Sequence, residues 1–161
     1  MLSAQKSVIL YLTTILVLRL TQIDKICEKY MNSDTSFKKL SEKDNLIIYY
    51  TNPAKANIKG DTEDILKLYD TALSIIGNKN WVWIFDSEGF NMKQAFEVQT
   101  GIGIAKLITN KYGNTLQEIK IINPTWHIKT MLASLKPFLN EATKQKIKIL
   151  NDRYYSILEF I

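Results

Sequence analysis

Residues 119–139 read IKIINPTWHIKTMLASLKPFL, and this stretch decides the fold class. It opens with a short run of β-branched isoleucines, which predicts a buried strand. Asn123-Pro124 ends that strand, because proline has no N–H to donate to a sheet and disfavours helix in the residue before it. Thr125 is suited to cap a helix, and apolar side chains then recur at helical spacing as far as Leu135. The pattern is a strand, a tight corner and an amphipathic helix, as in half of a βαβ unit.

Three more segments have strand character. Residues 46–50 (LIIYY) form an apolar run that Asn52-Pro53 ends. Residues 81–86 (WVWIFD) are apolar at successive positions, which is typical of a parallel strand covered on both faces. Residues 146–150 (KIKIL) are predicted to be the last strand.

Helices are predicted between these strands. One begins at Asp61 or Thr62, which serve as N-caps, and ends at Gly77. One or two helices cover residues 95–111, and Asn140 caps a short helix after the K-P-F-L segment. The alternation of strands and helices predicts an α/β fold with a small, mostly parallel sheet flanked by helices.

The first 45 residues are predicted to be a separate helical segment that packs on an α/β domain of residues 46–161. Residues 7–18 are uncharged and mostly apolar, but a membrane-spanning helix needs about 20 such residues, and no signal-peptide cleavage site follows. We favour one long, partly buried helix; membrane attachment and secretion are the alternatives. Residues 31–44 are polar and charged, and we expect a loop or broken helix there.

Composition narrows the function classes. The chain has 161 residues and a net charge of +5, from 21 basic and 16 acidic residues. This mild excess is compatible with an anionic lipid surface, but the basic residues are not concentrated in one block with interleaved aromatics, as nucleic-acid binders require. We therefore predict no nucleic-acid partner.

Catalytic and metal-binding sets are missing from the sequence. Cys27 is the single cysteine, so we expect no internal disulfide, no zinc site and a reducing, cytoplasmic location. His127 is the single histidine and has no nucleophile or carboxylate at readable spacing. Asp86 and Glu88 are better explained by capping and turn geometry than as a catalytic pair. We predict a protein that is not an enzyme and has no cofactor and no metal.

The residue identities in several segments are more specific than the pattern of apolar and polar positions. Residues 123–131 (NPTWHIKTM) and the K-P-F-L at 136–139 resemble the CRAL-TRIO family of lipid-transfer domains, in particular its divergent BCH-like branch. Asp86, Gly89 and Phe90 match that family's D-x-x-G segment, and residues 143–150 match its T-x-x-K-I-x-x-L wording.

The resemblance, over residues 46–161, implies an apolar pocket covered by the helix after Asn123-Pro124, which acts as a movable gate over a bound lipid. The residues that it implies for the pocket or gate are Phe85, Ile122, Trp126, Ile128, Met131, Leu132 and Leu135. From the residues alone, the same side chains are equally compatible with a filled core that leaves no cavity.

The resemblance also implies a headgroup site formed by Thr143 and Lys146. Asn114 stands where phosphoinositide-binding members have a glutamate, and Gly113 where they have a proline, which argues against phosphoinositide recognition. The sequence also ends before the L-P-x-x-x-G-G segment with which family members finish.

Two functions follow from the resemblance. The first is binding, transfer or sensing of a lipid or other hydrophobic small molecule by a cytoplasmic protein that visits membrane surfaces. The alternative is a BCH-like scaffold for small GTPases or their regulators, or a homodimerisation module, without a lipid. The apolar segment at residues 8–20 would provide a protein-binding surface in that case.

Overall fold

The computed structural model of this chain describes residues 14–15, 37–56 and 61–161. The chain divides into two compact units, Met1–Ser33 and Asp34–Ile161, and all elements given below belong to the second. The predicted N-terminal helix lies outside the described residues except at Thr14 and Ile15, so its packing on the core stays a prediction. Within the described ranges, no helix is both long enough and apolar enough to cross a membrane.

The described part of the second unit is built on one sheet of five strands, arranged in chain order. The strands are β1 (Lys38–Lys43), β2 (Leu46–Thr51), β3 (Asn80–Asp86), β4 (Leu116–Ile122) and β5 (Ile147–Leu150). β1 is antiparallel to β2, and the other neighbours are parallel. The predicted α/β fold with a mostly parallel sheet flanked by helices is confirmed.

Short connections and helices link the parallel strands. The helices are α1 (Thr62–Ser74), α2 (Met92–Ala95), α3 (Val98–Leu107), α4 (Trp126–Leu135) and α5 (Glu141–Gln145), with a π-helical turn at Ile108–Tyr112 and 3-10 turns at Lys136–Phe138 and Ile157–Phe160. The predicted caps are confirmed, since the side chains of Asp61, Thr125 and Asn140 each accept a hydrogen bond from a backbone N–H of the first helical turn. We expected a short helix over residues 151–161, and the structure has only the four-residue 3-10 turn there.

β1 replaces the loop or broken helix that we predicted for residues 31–44, and for residues 38–43 that prediction is wrong. β1 and β2 form a hairpin with a two-residue turn, in which Asp44 has a φ of 54°. Aspartate tolerates this left-handed conformation, which two-residue hairpins require. Leu40 is the one buried side chain of β1, and most of the others in this edge strand are charged. The sequence therefore lacked the alternating apolar residues from which a strand is predicted.

The core lies on the face of the sheet where helix side chains meet alternate strand residues. Four rings form its centre: Phe37 stacks on Tyr49 and Tyr69, at centroid distances of 4.7 and 4.2 Å, and Trp83 meets Tyr69 edge to face at 5.7 Å. Because side chains alternate along a strand, Ile122 projects to the opposite face from Ile121, where it is also fully buried.

Candidate functional site

An apolar cavity of about 90 Å³ lies between the sheet and helices α3 and α4, and we call it the inner cavity. Its lining residues are Trp83, Phe85, Gly101, Ile104, Ala105, Ile108, Ile119, Ile121, Ile128, Met131, Leu132, Leu135, Leu139 and Ile147. None of these side chains has a charged or hydrogen-bonding group except the Trp83 indole, which donates its N–H to Thr51 at 3.2 Å. The inner cavity therefore suits hydrocarbon.

A second cavity, of about 210 Å³, lies beside the first, and we call it the outer cavity. Its lining residues are Thr51, Pro53, Ala54, Ala56, Ile65, Tyr69, Phe85, Phe90, Lys93, Gln94, Glu97, Thr100, Gly101, Ile104 and Met131. Its charged and polar lining comes chiefly from α2 and the start of α3, with Lys93, Gln94, Glu97 and Thr100. The two cavities therefore differ in chemistry: one is apolar throughout, and the other combines apolar walls with charged and polar groups.

Four residues line both cavities: Phe85, Gly101, Ile104 and Met131. A Cβ atom placed on Gly101 would lie 2.5 Å from Cε of Met131, which is closer than real Cβ contacts. The glycine therefore leaves a notch in α3 that the tip of the Met131 side chain occupies. We call this contact the neck, since it separates the inner from the outer cavity.

The G-x-G at Gly101 and Gly103 has a packing role on two sides of α3. A Cβ on Gly103 would lie 2.8 Å from a methyl carbon of Leu66 in α1, just as one on Gly101 would meet Met131 in α4. The two glycines thus let α3 approach both neighbouring helices closely. The pair lacks the further glycine of a dinucleotide-binding loop, and it lies within a helix rather than directly after a strand.

The corner before α4 is held by Asn123, which has a φ of 50°. Its amide nitrogen donates to Asp86 at 3.0 Å and to the Tyr155 carbonyl at 2.9 Å, and its amide oxygen accepts from the Tyr155 N–H at 2.8 Å. Thr125 then donates its hydroxyl to the Phe90 carbonyl at 3.0 Å. The start of α4 is therefore tied by hydrogen bonds to the end of β3 and to the C-terminal segment.

Asp86 is the centre of this hydrogen-bonded edge. Its side chain is only 4% exposed and accepts from the Tyr50 hydroxyl at 2.8 Å and from the Glu88 N–H at 3.0 Å, besides Asn123. Burial, reinforced by the charge of Asp86, raises the pKa of Tyr50 well above its ordinary value. The turn interpretation of Asp86 is confirmed, and Glu88 instead pairs with Lys55.

The structure brings together five of the seven predicted pocket or gate residues. Phe85, Ile128, Met131, Leu132 and Leu135 all line the inner cavity. Their role in holding a ligand stays a prediction, because no ligand is present.

The other two predicted residues line neither cavity. Ile122 does not line the pocket because it projects to the opposite face of the sheet from Ile121. Trp126 is 63% exposed at the start of α4, where its ring stacks on His127 with a centroid distance of 3.8 Å.

The two predicted headgroup residues also lie outside both cavities. Thr143 is 1% exposed in α5, and Lys146 donates its ammonium group to the Gly113 carbonyl at 2.8 Å. Gly113 follows the π-helical turn, and a Cβ there would lie 3.2 Å from two backbone carbonyl oxygens of that turn. In this structure Lys146 therefore binds a carbonyl at the end of the turn.

Some lining residues were missed by sequence reasoning. Trp83, Ile119 and Ile121 alternate along β3 and β4 on the same face as Phe85, so the two-residue strand period was a signal that identifies them. The outer cavity had no such signal. Its lining comes from segments far apart in the sequence, among them the end of β2, α1, α2 and α3.

Across the described residues, no group of three or more histidine, cysteine, aspartate or glutamate side chains is placed to hold a metal ion.

A comparison with known protein families assigns the domain. Residues 40–161 match the family described as CRAL/TRIO domain. The matched range begins within β1, covers most of the chain and includes every residue that lines the two cavities. The chain therefore belongs to the CRAL/TRIO domain family, whose members are in general proteins that bind or transfer hydrophobic ligands rather than enzymes.

Proposed function

We propose that this protein binds the hydrocarbon part of a lipid in the inner cavity and that α4 is the movable cover of that cavity. The observation that carries the proposal is the apolar lining of the cavity, to which α4 contributes Ile128, Met131, Leu132 and Leu135. Burial of a lipid chain there contributes about 0.8 kcal/mol per CH₂ group.

The size of the inner cavity supports a cover that moves. Its volume of about 90 Å³ is below the range of roughly 300–1,000 Å³ that is usual for small-molecule sites. A lipid chain therefore needs more room than this structure offers. The nearest removable wall is α4, since its body rests on the cavity through apolar contacts, whereas its start is hydrogen-bonded at Asn123 and Thr125.

The outward face of α4 supports contact with a membrane during transfer or sensing. Trp126 and Lys129 are both exposed on its first turn. An exposed tryptophan suits the interfacial region of a bilayer, and a lysine suits anionic headgroups. For Thr143 and Lys146 to hold a headgroup, Lys146 must first release the Gly113 carbonyl.

Native mass spectrometry of the gently purified protein tests the proposal. We expect co-purified lipid on the natural chain and its loss in Ala105→Leu, which adds three carbon atoms at a 6% exposed residue of the inner cavity. Ala142→Leu is the matched control, because Ala142 is exposed on α5 and lines neither cavity. A natural chain that carries no lipid and takes up none from vesicles would contradict the proposal.

The alternative function, a BCH-like scaffold or homodimer, is supported by one observation. Met92, Phe96 and Trp126 are large apolar side chains that are 52%, 74% and 63% exposed, on α2, just after it and at the start of α4. Analytical ultracentrifugation distinguishes the two functions. A lipid-free, stable dimer that Phe96→Ser dissociates would favour the scaffold; a lipid-loaded monomer would favour the carrier.

A further inference from the structure

We infer that the ligand is a single-chain amphiphile whose tail passes from the outer cavity through the neck at Met131 into the inner cavity, while its polar end stays in the outer cavity. This inference rests on the proposed function, which it deepens by naming the route and the ligand class. On this route the tail enters by displacement of the Met131 side chain, and α4 then shifts outward to enlarge the inner cavity without swinging open as a whole.

The shared lining residues make the two cavities parts of one path. Phe85 and Ile104 form walls of both, and the Met131 side chain with the notch at Gly101 separates them. No hydrogen bond joins Met131 to Gly101, so the side chain leaves the notch without breaking a polar contact. Methionine has three rotatable bonds and adapts to such a movement more readily than a branched side chain.

The chemistry along this path changes from polar to apolar. The lining of the outer cavity includes Lys93, Gln94 and Glu97, whereas the lining residues found only in the inner cavity are apolar apart from the Trp83 indole N–H. A ligand that satisfies both ends has a hydrocarbon tail and a small hydrogen-bonding head. Both a carboxylate and a hydroxyl head suit the outer cavity, because its lining includes a cationic donor, Lys93 in α2, and an anionic acceptor, Glu97 at the start of α3.

The neck limits the number of chains. Met131 contacts the α3 notch closely enough that a single added carbon atom at Gly101 would have no room. The two δ-methyl carbons of Leu135 would lie 3.2 and 3.3 Å from the same added atom, so retraction of the methionine side chain opens space for one hydrocarbon chain at most. Two acyl chains side by side need a larger opening than the displacement of one side chain provides.

The test measures binding of three probes to the full chain. These are cis-parinaric acid, a single-chain fluorescent fatty acid; the corresponding polyene alcohol; and a fluorescent diacyl phosphatidylcholine presented in vesicles. Ala56→Trp fills the outer cavity, Ala105→Leu fills the inner cavity, and Ala142→Trp is the exposed control. Thermal unfolding of each variant confirms that it is folded.

We expect Ala56→Trp and Ala105→Leu each to weaken binding of the single-chain probes about tenfold, which corresponds to about 1.4 kcal/mol, with the control unchanged. Tighter binding of the acid or of the alcohol then identifies the head. Loss of binding in Ala105→Leu alone would overturn the route and leave the proposed function standing. Failure of the natural chain to bind any of the three probes would overturn the proposed function itself.

Two further measurements test the role of Met131 in the neck and the assignment of a single-chain ligand. Met131→Ala is expected to speed association of parinaric acid by about threefold in stopped-flow measurements, with a smaller change in affinity. An unchanged association rate would overturn the role of Met131, and this variant remains informative if Ala56→Trp does not fold. Binding of the diacyl probe as tightly as the single-chain probes would overturn the single-chain assignment.

Discussion

The corner at Asn123 and the helix that follows it are held by different kinds of contact. The corner itself, which follows β4, is fixed to the end of the neighbouring β3 by hydrogen bonds that converge on the buried Asp86. After it, the body of α4 rests on the inner cavity through Ile128, Met131, Leu132 and Leu135. The first kind of contact requires defined distances and angles, whereas the second is non-directional and tolerates sliding.

This difference predicts which part of the site resists displacement and which part yields more easily. A hydrogen bond that is broken in a buried place leaves an unpaired polar group, so the Asp86 edge resists displacement. Apolar contacts over a cavity are lost gradually, and a ligand replaces them. Under the proposed function, the corner at Asn123 would be the fixed point about which α4 moves as a cover.

The largest expected effect on stability comes from removing the Asp86 carboxylate, on which the hydrogen bonds at the end of β3 converge. Asp86→Ala leaves the Tyr50 hydroxyl and the Asn123 amide without their partner, and we expect a loss of about 3 kcal/mol in the free energy of unfolding. Urea unfolding measures it. Tyr50→Phe is the control, with an expected cost of about 1 kcal/mol; equal costs for the two variants would mean that Asp86 is not the centre of the network.

The next effect separates the backbone from the side chain at Asn123. Asn123→Ala loses three hydrogen bonds and places a Cβ-bearing residue without local bonds at a φ of 50°, and we expect a cost of about 2 kcal/mol. Asn123→Gly accepts that φ and is expected to cost about 1 kcal/mol less. If alanine and glycine were equal in urea unfolding, the positive φ would contribute nothing.

A smaller loss of stability is expected from a substitution in the body of α4. Leu132→Ala is predicted to cost about 1.5 kcal/mol, below the 2–5 kcal/mol of a filled core, since Leu132 is half-buried and already borders a cavity. Leu73→Ala is the matched control in α1, at a fully buried leucine that lines neither cavity. A cost for Leu132→Ala as large as that of Leu73→Ala would show that α4 is packed as tightly as the core.

The smallest expected effect is the pH dependence of the ion pair between Lys55 and Glu88, which follows the end of β3. The hydrogen bond from Lys55 lowers the pKa of Glu88 below its ordinary value of 4.5. The contribution of the Lys55–Glu88 pair to the free energy of unfolding is therefore present above pH 4.5 and is lost as the pH falls below that value. Glu88 is exposed in part, so we expect no more than about 0.5 kcal/mol.

Thermal unfolding between pH 3 and pH 6 measures this contribution. The melting temperature of Glu88→Gln should fall less steeply below pH 4.5 than that of the natural chain. Identical pH profiles would mean that the pair with Lys55 adds nothing to stability.

Much of the fold could be predicted from rules that depend only on residues close together in the sequence. Asp61, Thr125 and Asn140 were predicted as caps because capping depends on a few adjacent residues, and the structure shows all three. The helical period of α4 likewise placed Ile128, Met131, Leu132 and Leu135 on one face, and that face borders the inner cavity.

Contacts between distant segments were not predictable in the same way. Asn123 was interpreted only as the residue before a strand-ending proline, but its amide bonds join Asp86 and Tyr155, which lie 37 and 32 residues away. Lys146 was assigned to a headgroup by resemblance, and its partner Gly113 is 33 residues away. Pattern and propensity carry no information on such pairings.

The order of strands in the sheet has a consequence for how the chain is made. Every strand from β2 to β5 hydrogen-bonds to the strand that precedes it in the sequence. A growing polypeptide that leaves the ribosome can therefore add each strand to an edge that already exists, without waiting for a later segment. The hydrogen bonds between Asn123 and Tyr155 form later than the contacts of the corner with β3, because Tyr155 follows β5 in the sequence.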